Sequence, residues 1–299
     1  MKLSSNLNLA IRIFVGLAFV FSAISKLISI DSFEIYIYSF GLLKLNVTFF
    51  FARFIISLEL FLGILLLVGK YCKKVVIVSV AMLSVFSAFI LFLVLTRNNE
   101  SCHCFGEIKM SHTASILKNI FFITLLLFAY QSKGSNFKHD KLIVLAALIC
   151  SIFLPLTFAP PDSLFYSSYA KNVTYNELMF QEYLKENSEY SKGKVMLCFF
   201  STGCRFCKLA ARKVSTIAKK ANGNQLVNFL FTGSEGSITT FFQETNSHIF
   251  PYCFIQPNRF LKITNGEMPL ILLLENGKIK GKYGYRDLNE MEIIRFLSN

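Results

Sequence analysis

Two short cysteine motifs could carry electrons in this chain: Cys102-His-Cys104-Phe-Gly and Cys204-Arg-Phe-Cys207. A thiolate attacks a disulfide sulfur and passes through a mixed disulfide, so two dithiols in one chain can in principle exchange electrons directly. Each motif alone is ambiguous, because CxC can clip a metal or merely pack, and CxxC can be half of a zinc site. In the second motif Cys204 is the expected attacking thiol. It opens a stretch with helical spacing, where the helix dipole, unpaired backbone N–H groups, Arg205 and Lys208 would all favour a thiolate. Cys207, one turn along, is the expected resolving thiol. A zinc site would need a second Cys/His pair, and this part of the chain offers only His248, Cys198 and Cys253. A Cys102–Cys104 disulfide would close a smaller ring than CxxC does and would be easier to reduce. His103 reads as a proton carrier, a metal ligand or a solvated loop residue. A Cu(I) or zinc clip of Cys102, Cys104, His103 and His112 stays open.

The elements that must position these motifs divide by texture. Of 299 residues, 54% are hydrophobic, with 33 Phe and no Trp, and the excess lies in the first half. Apolar runs at 9–30, 49–68, 75–95, 116–130 and 142–158 have the length that a bilayer crossing requires, roughly 20 residues. Five spans are therefore expected. The fourth is short and the fifth carries Pro155, so either could instead be buried or re-entrant, but a four-span count strands one cysteine motif. The first run is too long for a signal-peptide core and lacks a cleavage site after it. Lys2, the cluster Lys70, Lys73 and Lys74, and Lys133, Lys138 and Lys141 fall at alternate ends of the spans, which marks those ends as cytoplasmic. The loops at 31–48 and 96–115 balance their bases with Asp31, Glu34, Glu100 and Glu107 and are expected outside. Both cysteine motifs then share the exterior face of an inner (plasma) membrane. The net charge of +13 divides into +8 through residue 160 and +5 beyond it, with no basic stripe interleaved with aromatics, and no nucleic-acid partner is expected.

Ala159-Pro160-Pro161 marks the change to mixed sequence, and about 15 residues from there to Tyr175 read as an extended tether. Residues from about Lys171 onward are expected to fold alone. Strands are predicted at 194–201 and 226–231, a helix at 204–221, a helix at 237–244 and an extended piece at 250–255. A hairpin at 269–274 and 278–283 turns at Asn276-Gly277, and an amphipathic helix closes the chain at 288–297. That order, with Ser201-Thr-Gly-Cys204-Arg-Phe-Cys207 and Gly266-Glu-Met-Pro269-Leu, resembles thioredoxin-like proteins. The resemblance implies that Pro269 is cis and faces the dithiol. Departures are Gly203 in place of the usual Trp, Cys198 where a buried carboxylate commonly assists proton transfer, and extra sequence between Gly233 and Pro251.

Charges inside spans are functional candidates because they are costly there. Glu59 lies near the middle of span two and Lys26 toward the exterior end of span one, at depths that would let them pair. Arg12 and Arg53 read as structural ion pairs or as side chains snorkelling to the headgroups. Cys72, Cys150, Cys198 and Cys253 read as small apolar fillers, with a Cys198–Cys253 pairing left open. The segment Phe21-Ser-Ala-Ile-Ser-Lys26-Leu27, Glu59 with Gly63, Cys102-His-Cys104-Phe105-Gly106 and Lys118-Asn119 together resemble the MauE/DoxX-like membrane family, over about residues 1–131. The resemblance implies a four-helix membrane bundle tied to disulfide chemistry in exported proteins, similar in layout to the quinone-linked vitamin K epoxide reductase and DsbB enzymes. A quinone in the membrane domain is the cofactor that layout admits. Glu59 would then serve a proton relay or a quinone pocket.

The expected architecture is an all-α transmembrane bundle of four helices at 1–131, a fifth tethering helix and linker at 132–160, and an α/β thioredoxin-like domain at 161–299. The function it points to is a membrane thiol–disulfide oxidoreductase. In that reading electrons pass between Cys102/Cys104 and Cys204/Cys207, with Pro269 and Glu59 completing the sites, and the partners are exported cysteine-containing proteins or other thiol–disulfide carriers. The alternative is a membrane-anchored scaffold that handles Cu(I) or zinc or acts as a chaperone. A transporter is disfavoured, since no repeated half or paired broken helices are evident. An impermeant thiol reagent applied to intact cells after reduction should label Cys102, Cys104 and Cys204 and spare Cys72; labelling of Cys72 alone would reverse the orientation.

Overall fold

The computed structural model describes residues 5–69, 72–95, 102–105, 108–130 and 140–298, with backbone alone at 5, 72, 102–105, 108–110 and 140. The side chains of Cys72, Cys102, His103 and Cys104 therefore lie outside the described part, as do Lys2, Lys70, Glu100, Gly106, Glu107, Lys133 and Lys138. The chain divides into two compact units, one of residues 1–34 with 50–160 and the other of 35–49 with 161–299.

The first unit is helical. Its elements are α1 (Ser5–Ile28), the start of α2 (Ile30–Ser39), most of α3 (Leu45–Val68), α4 (Cys72–Leu95), α5 (His112–Ala129) and α6 (Asp140–Phe158). Between α4 and α5 runs a two-stranded antiparallel ribbon of β1 (Cys102–Phe105) and β2 (Ile108–Met110). Among the described residues five helices are long and apolar enough to cross a membrane, at Asn6–Ile28, Leu45–Val68, Lys73–Leu95, His112–Ala129 and Lys141–Phe158, as in a multi-pass membrane protein. The fourth and fifth apolar runs are thus continuous helices. Pro155 sits in the last turn of α6, where it forgoes the bond its N–H would have made to the Ser151 carbonyl without ending the helix. The stretch at 31–48, expected as a loop, holds α2, whose alternating Ile and Tyr residues had no helical period to show it.

Helices α1 and α3 touch through glycines. A Cβ on Gly63 would lie 2.8 Å from Val20 Cγ2, and one on Gly16 would lie 3.1 Å from the Gly63 carbonyl oxygen. Small residues allow such approach between apolar helices, where dispersion rather than water release holds the contact. Arg53 is buried rather than snorkelling. It pairs with Glu34 of α2 and donates to the carbonyls of Ala159 at 2.7 Å and Pro160 at 3.1 Å, so it closes the C-terminal end of α6.

The second unit is built on a mixed five-stranded sheet in the order β5-β4-β3-β6-β7: β3 (Lys194–Ser201), β4 (Val227–Thr232), β5 (Tyr252–Phe254), β6 (Leu270–Glu275) and β7 (Lys278–Tyr283). β3 runs parallel to β4 and antiparallel to β6, so the central strand is buried on both faces. Met196, Cys198 and Phe200 enter one core with α9 (Arg205–Ala221), α10 (Ile238–Thr245) and α12 (Glu290–Ser298). Val195, Leu197 and Phe199 enter the other, with α8 (Glu177–Glu186) and α11 (Pro257–Thr264). This is a thioredoxin-like α/β fold. The hairpin turns at Asn276 and Gly277, both at positive φ (51° and 73°), as a two-residue turn of the primed kind requires.

Three pieces of this unit were not legible in the sequence. Helices α8 and α11 are short, and only their caps announce them: the Asn176 side chain accepts from Met179 N–H at one, and Pro257 opens the other before Asn265 turns into the left-handed region. The expected tether is folded, with a turn at Asp162–Leu164 and α7 (Tyr166–Ala170), fastened by Arg286 to Asp162 at 2.7 Å. Residues 35–49 also belong here, which enlarges the unit beyond the stretch after Lys171. Ile35, Tyr38, Leu45 and Phe49 join the core of α9 and α12. Buried Glu290 accepts from Tyr38 OH (3.0 Å), Leu45 N–H (2.5 Å) and Lys220 Nζ (2.8 Å). Burial and the adjacent carboxylate push the Tyr38 phenol up, so it stays a donor.

Glu290→Ala would strand Tyr38 OH and Leu45 N–H and leave Lys220 only the Leu43 carbonyl, at a cost of about 3 kcal/mol, the range for breaking one side of a buried pair. Thermal unfolding of the full chain should show a lower midpoint for this variant; an unchanged midpoint would remove Glu290 from the anchoring of 35–49.

Candidate active site

The parallel pairing of β3 with β4 carries the chain to the end of the sheet, where Thr202 N–H bonds to the Thr232 carbonyl (3.2 Å) and Cys204 N–H to that of Ser201 (3.1 Å). Cys204 is the N-cap of α9. Its sulfur accepts from the Cys207 N–H at 3.3 Å, as a side-chain oxygen does at other helix starts. Cys207 is fully buried, and its sulfur accepts from the Ser201 N–H at 3.4 Å. Both are free thiols.

Their acidities diverge for physical reasons. The Cys207 thiol bonded to it, the N–H groups of Cys207 and Phe206, and the Lys208 charge together draw Cys204 down to about 6, against the opposing effect of its partial burial. Burial pushes Cys207 strongly up, and the neighbouring Cys204 adds to the rise. Of the two bases expected near the site, Lys208 is the one that acts on Cys204; it is also paired with Glu244 at 2.6 Å. One sulfur is thus poised to attack and the other is kept protonated beside it.

The Met268–Pro269 peptide bond is cis. The antiparallel register that pairs Phe199 with Leu270 brings Pro269 alongside the end of β3, where the CxxC turn begins. Cys198 is fully buried in β3 and burial raises its thiol, so it offers no charge in place of a carboxylate. A buried carboxylate does occur nearby from an element the sequence reading passed over. Asp287 accepts from Gly284 N–H at 2.6 Å, and a Cβ on Gly284 would meet both Asp287 Oδ1 (3.4 Å) and the Pro269 carbonyl oxygen (3.9 Å). Its other oxygen, Oδ2, has no hydrogen-bond partner, and burial raises the carboxyl. Phe206, between the two cysteines, is exposed and lies 5.2 Å from the Tyr285 ring, with the Arg286 guanidinium 5.9 Å above it. Cys198 and Cys253 do not pair: β4 separates their strands, and they belong to opposite cores.

In the first unit Lys26 donates to both oxygens of Glu59, at 2.8 and 2.7 Å, and to Ser22 Oγ at 2.6 Å. The pair joins α1 to α3. The backbone of β1 places the CxC residues in a strand against α1 and α5. Among the described residues no group of three His, Cys, Asp or Glu is placed to hold a metal ion.

A membrane protein that ends in a thioredoxin-like domain with an asymmetric dithiol is the class that this fold and site define. Residues 4–131 match the protein family described as methylamine utilisation protein MauE. The protein TlpB of Flavobacterium psychrophilum is 29% identical over 310 residues, covering 85% of this chain and 84% of that one. Two solved structures resemble part of the chain. One is the thioredoxin domain of a thiol-disulfide oxidoreductase from Bacteroides vulgatus (18% identity, 37% of this chain, 83% of that one, TM-score 0.30). The other is a thiol:disulfide interchange protein from a Bacteroides species (16% identity, 37% of this chain, 77% of that one, TM-score 0.31).

With its thiol near 6, Cys204 should be roughly nine-tenths thiolate at pH 7. Alkylation of the reduced protein should therefore rise with a midpoint near pH 6 at Cys204 and leave Cys207 unmodified up to pH 9. Equal reactivity of the two sulfurs would contradict the assignment.

Proposed function

We propose that this chain is a membrane thiol–disulfide oxidoreductase in which Cys204 attacks, Cys207 resolves and Cys102/Cys104 exchanges electrons with them. The observation that carries the reading is the opposed state of the CxxC sulfurs, one drawn down to about 6 at a helix N-cap and the other buried and raised. The Cys204 thiolate attacks a disulfide sulfur of an exported protein or another carrier, and a mixed disulfide forms as the departing sulfur leaves as thiolate. Cys207 loses its proton and displaces the bound sulfur. The Cys204–Cys207 disulfide forms, and two electrons have passed to the target. The reverse sequence oxidises a dithiol.

Pro269 lies buried alongside the CxxC turn, and Phe206, exposed between the two cysteines, is the apolar contact a target chain would meet. The second dithiol, Cys102/Cys104, returns the electrons by the same chemistry. Both motifs sit on the exterior side of the plasma membrane in this reading, which the lysine clusters at the opposite ends of the spans support. Carrying both dithiols on one chain makes their exchange intramolecular, at an effective concentration in the millimolar range. Glu59, held by Lys26, belongs to the membrane half of the site, where a quinone is the acceptor that the MauE resemblance admits.

The relay is testable by trapping. With Cys207→Ser combined with Cys104→Ser, Cys204 and Cys102 should accumulate as an intramolecular mixed disulfide, seen as a reducible link between proteolytic fragments of the two halves. If no link forms while Cys204 still exchanges with an external disulfide, the two motifs work independently.

A further inference from the structure

Four large apolar side chains of the second unit stand open where its chain runs into the spans. Leu42 is 72% exposed, Leu164 64%, Phe165 41% and Met291 54%, and they come from three separate stretches. Each stretch is tied to the first turn of α3. Leu42 precedes that helix by three residues. Met291 follows Glu290, whose carboxylate accepts from Leu45 N–H at 2.5 Å. Leu164 and Phe165 lead into Tyr166, whose hydroxyl donates to Asn46 Oδ1 at 2.8 Å. Leu45 opens one span, and another, Lys141–Phe158, ends six residues before Leu164. A helix that enters hydrocarbon at Leu45 sets the level of the headgroups at its first turn, so the four side chains gather at that level. The carboxylates of the same stretches are engaged within the unit: Asp162 with Arg286 at 2.7 Å, Glu290 with its three donors, and Glu292 with Tyr283 OH at 2.7 Å. Lys44, between Leu42 and Leu45, is exposed.

We propose that Leu42, Leu164, Phe165 and Met291 form an interfacial foot that seats the thioredoxin-like unit on the phospholipid surface. Exposed apolar residues scattered singly need no partner, but four that converge on the end of a span make a patch that does. Apolar side chains of an interfacial element settle about 5–10 Å into the boundary between headgroups and acyl chains. Tyr166 and Tyr169 of α7 suit the same level, because a tyrosine is apolar at one end and wet at the other. Lys44 lays its apolar stem along the patch and extends its ammonium to the phosphates. Lipid is the occupant because the spans already bring it there, whereas a soluble partner would have to displace headgroups to reach the patch. Seated in this way, the unit does not swing on the stretch after Pro160, and its dithiol keeps one height above the bilayer. The proposal stands apart from the exchange between the two dithiols and holds whether or not that exchange occurs.

The chain contains no Trp, so a single Trp substitution reports on its own site. Phe165→Trp and Met291→Trp, made separately in the full chain and reconstituted in vesicles of phosphatidylcholine and phosphatidylglycerol, are read by fluorescence quenching. The quenchers are iodide in the water and lipids brominated either high or low on the acyl chain. Phe54→Trp, at an exposed position nine residues beyond Leu45 in α3 and up to roughly 14 Å deeper by helix rise, gives the deep reference. Both test positions should be shielded from iodide and lose more emission to the shallow bromines than to the deep ones, the reverse of Phe54→Trp. Should either substitution lower the thermal midpoint of the parent chain, Leu164→Trp and Leu42→Trp take their places. Absence of lipid quenching at either position overturns the proposal: with iodide access it leaves the patch in water, and with iodide shielding it makes a second copy or another protein the cover. Quenching that matches Phe54→Trp overturns it too, by placing the side chains in the hydrocarbon core.

Discussion

The second unit depends on a strand that must be buried on both faces. β3 has apolar side chains at successive positions, and neither face can be left to water, so helices must cover both. Parallel pairing with β4 requires a crossover, and α9 supplies it. The connection from β3 into α9 then occurs at the end of the sheet, and whatever residue caps α9 receives unpaired N–H groups. Here that residue is Cys204. The reactivity of the thiol is thus a by-product of the way a doubly buried strand is joined to its crossover helix, and the antiparallel neighbour β6 brings Pro269 to the same end by register.

The helical unit obeys a different constraint. With no water between the spans, backbone groups are satisfied within helices and charged side chains must find one another. Lys26 with Glu59, and Arg53 with Glu34 and the end of α6, meet that requirement. The glycine contact at Gly16 and Gly63 brings the same two helices, α1 and α3, into close approach. In the second unit Glu290 plays the equivalent part, holding residues 35–49 by a carboxylate that three donors share.

Much of this was legible in the sequence, and what was not has identifiable causes. The apolar runs at 9–30 through 142–158 are long enough to be unmistakable, and β3, α9 and the hairpin at Asn276-Gly277 carry strong local signals. Helices α2, α8 and α11 escaped notice because eight to ten residues carry little periodic signal, and of the helices this short only α10 and α12 were read from the sequence. The residues after Pro160 looked like a linker for the same reason. Cys204 and Cys207 were identifiable by spacing and Pro269 by the resemblance to thioredoxin-like proteins, whereas nothing in its local sequence marks Asp287 as lying, with the Pro269 carbonyl, beside Gly284.

Local sequence determined where the chain crosses the membrane, which residues could exchange electrons, and which cysteine would cap a helix, because hydrophobic length and helix-end chemistry act over a few residues. Tertiary structure decided the rest. Only folding brings Lys26 to Glu59 across 33 residues, draws Leu45 onto Glu290 across 245, and sends Cys198 and Cys253 into opposite cores. Burial, charge and partner at such distances are properties of packing, and so the acidity of a thiol or the fate of a buried carboxylate is set by the neighbours that packing supplies.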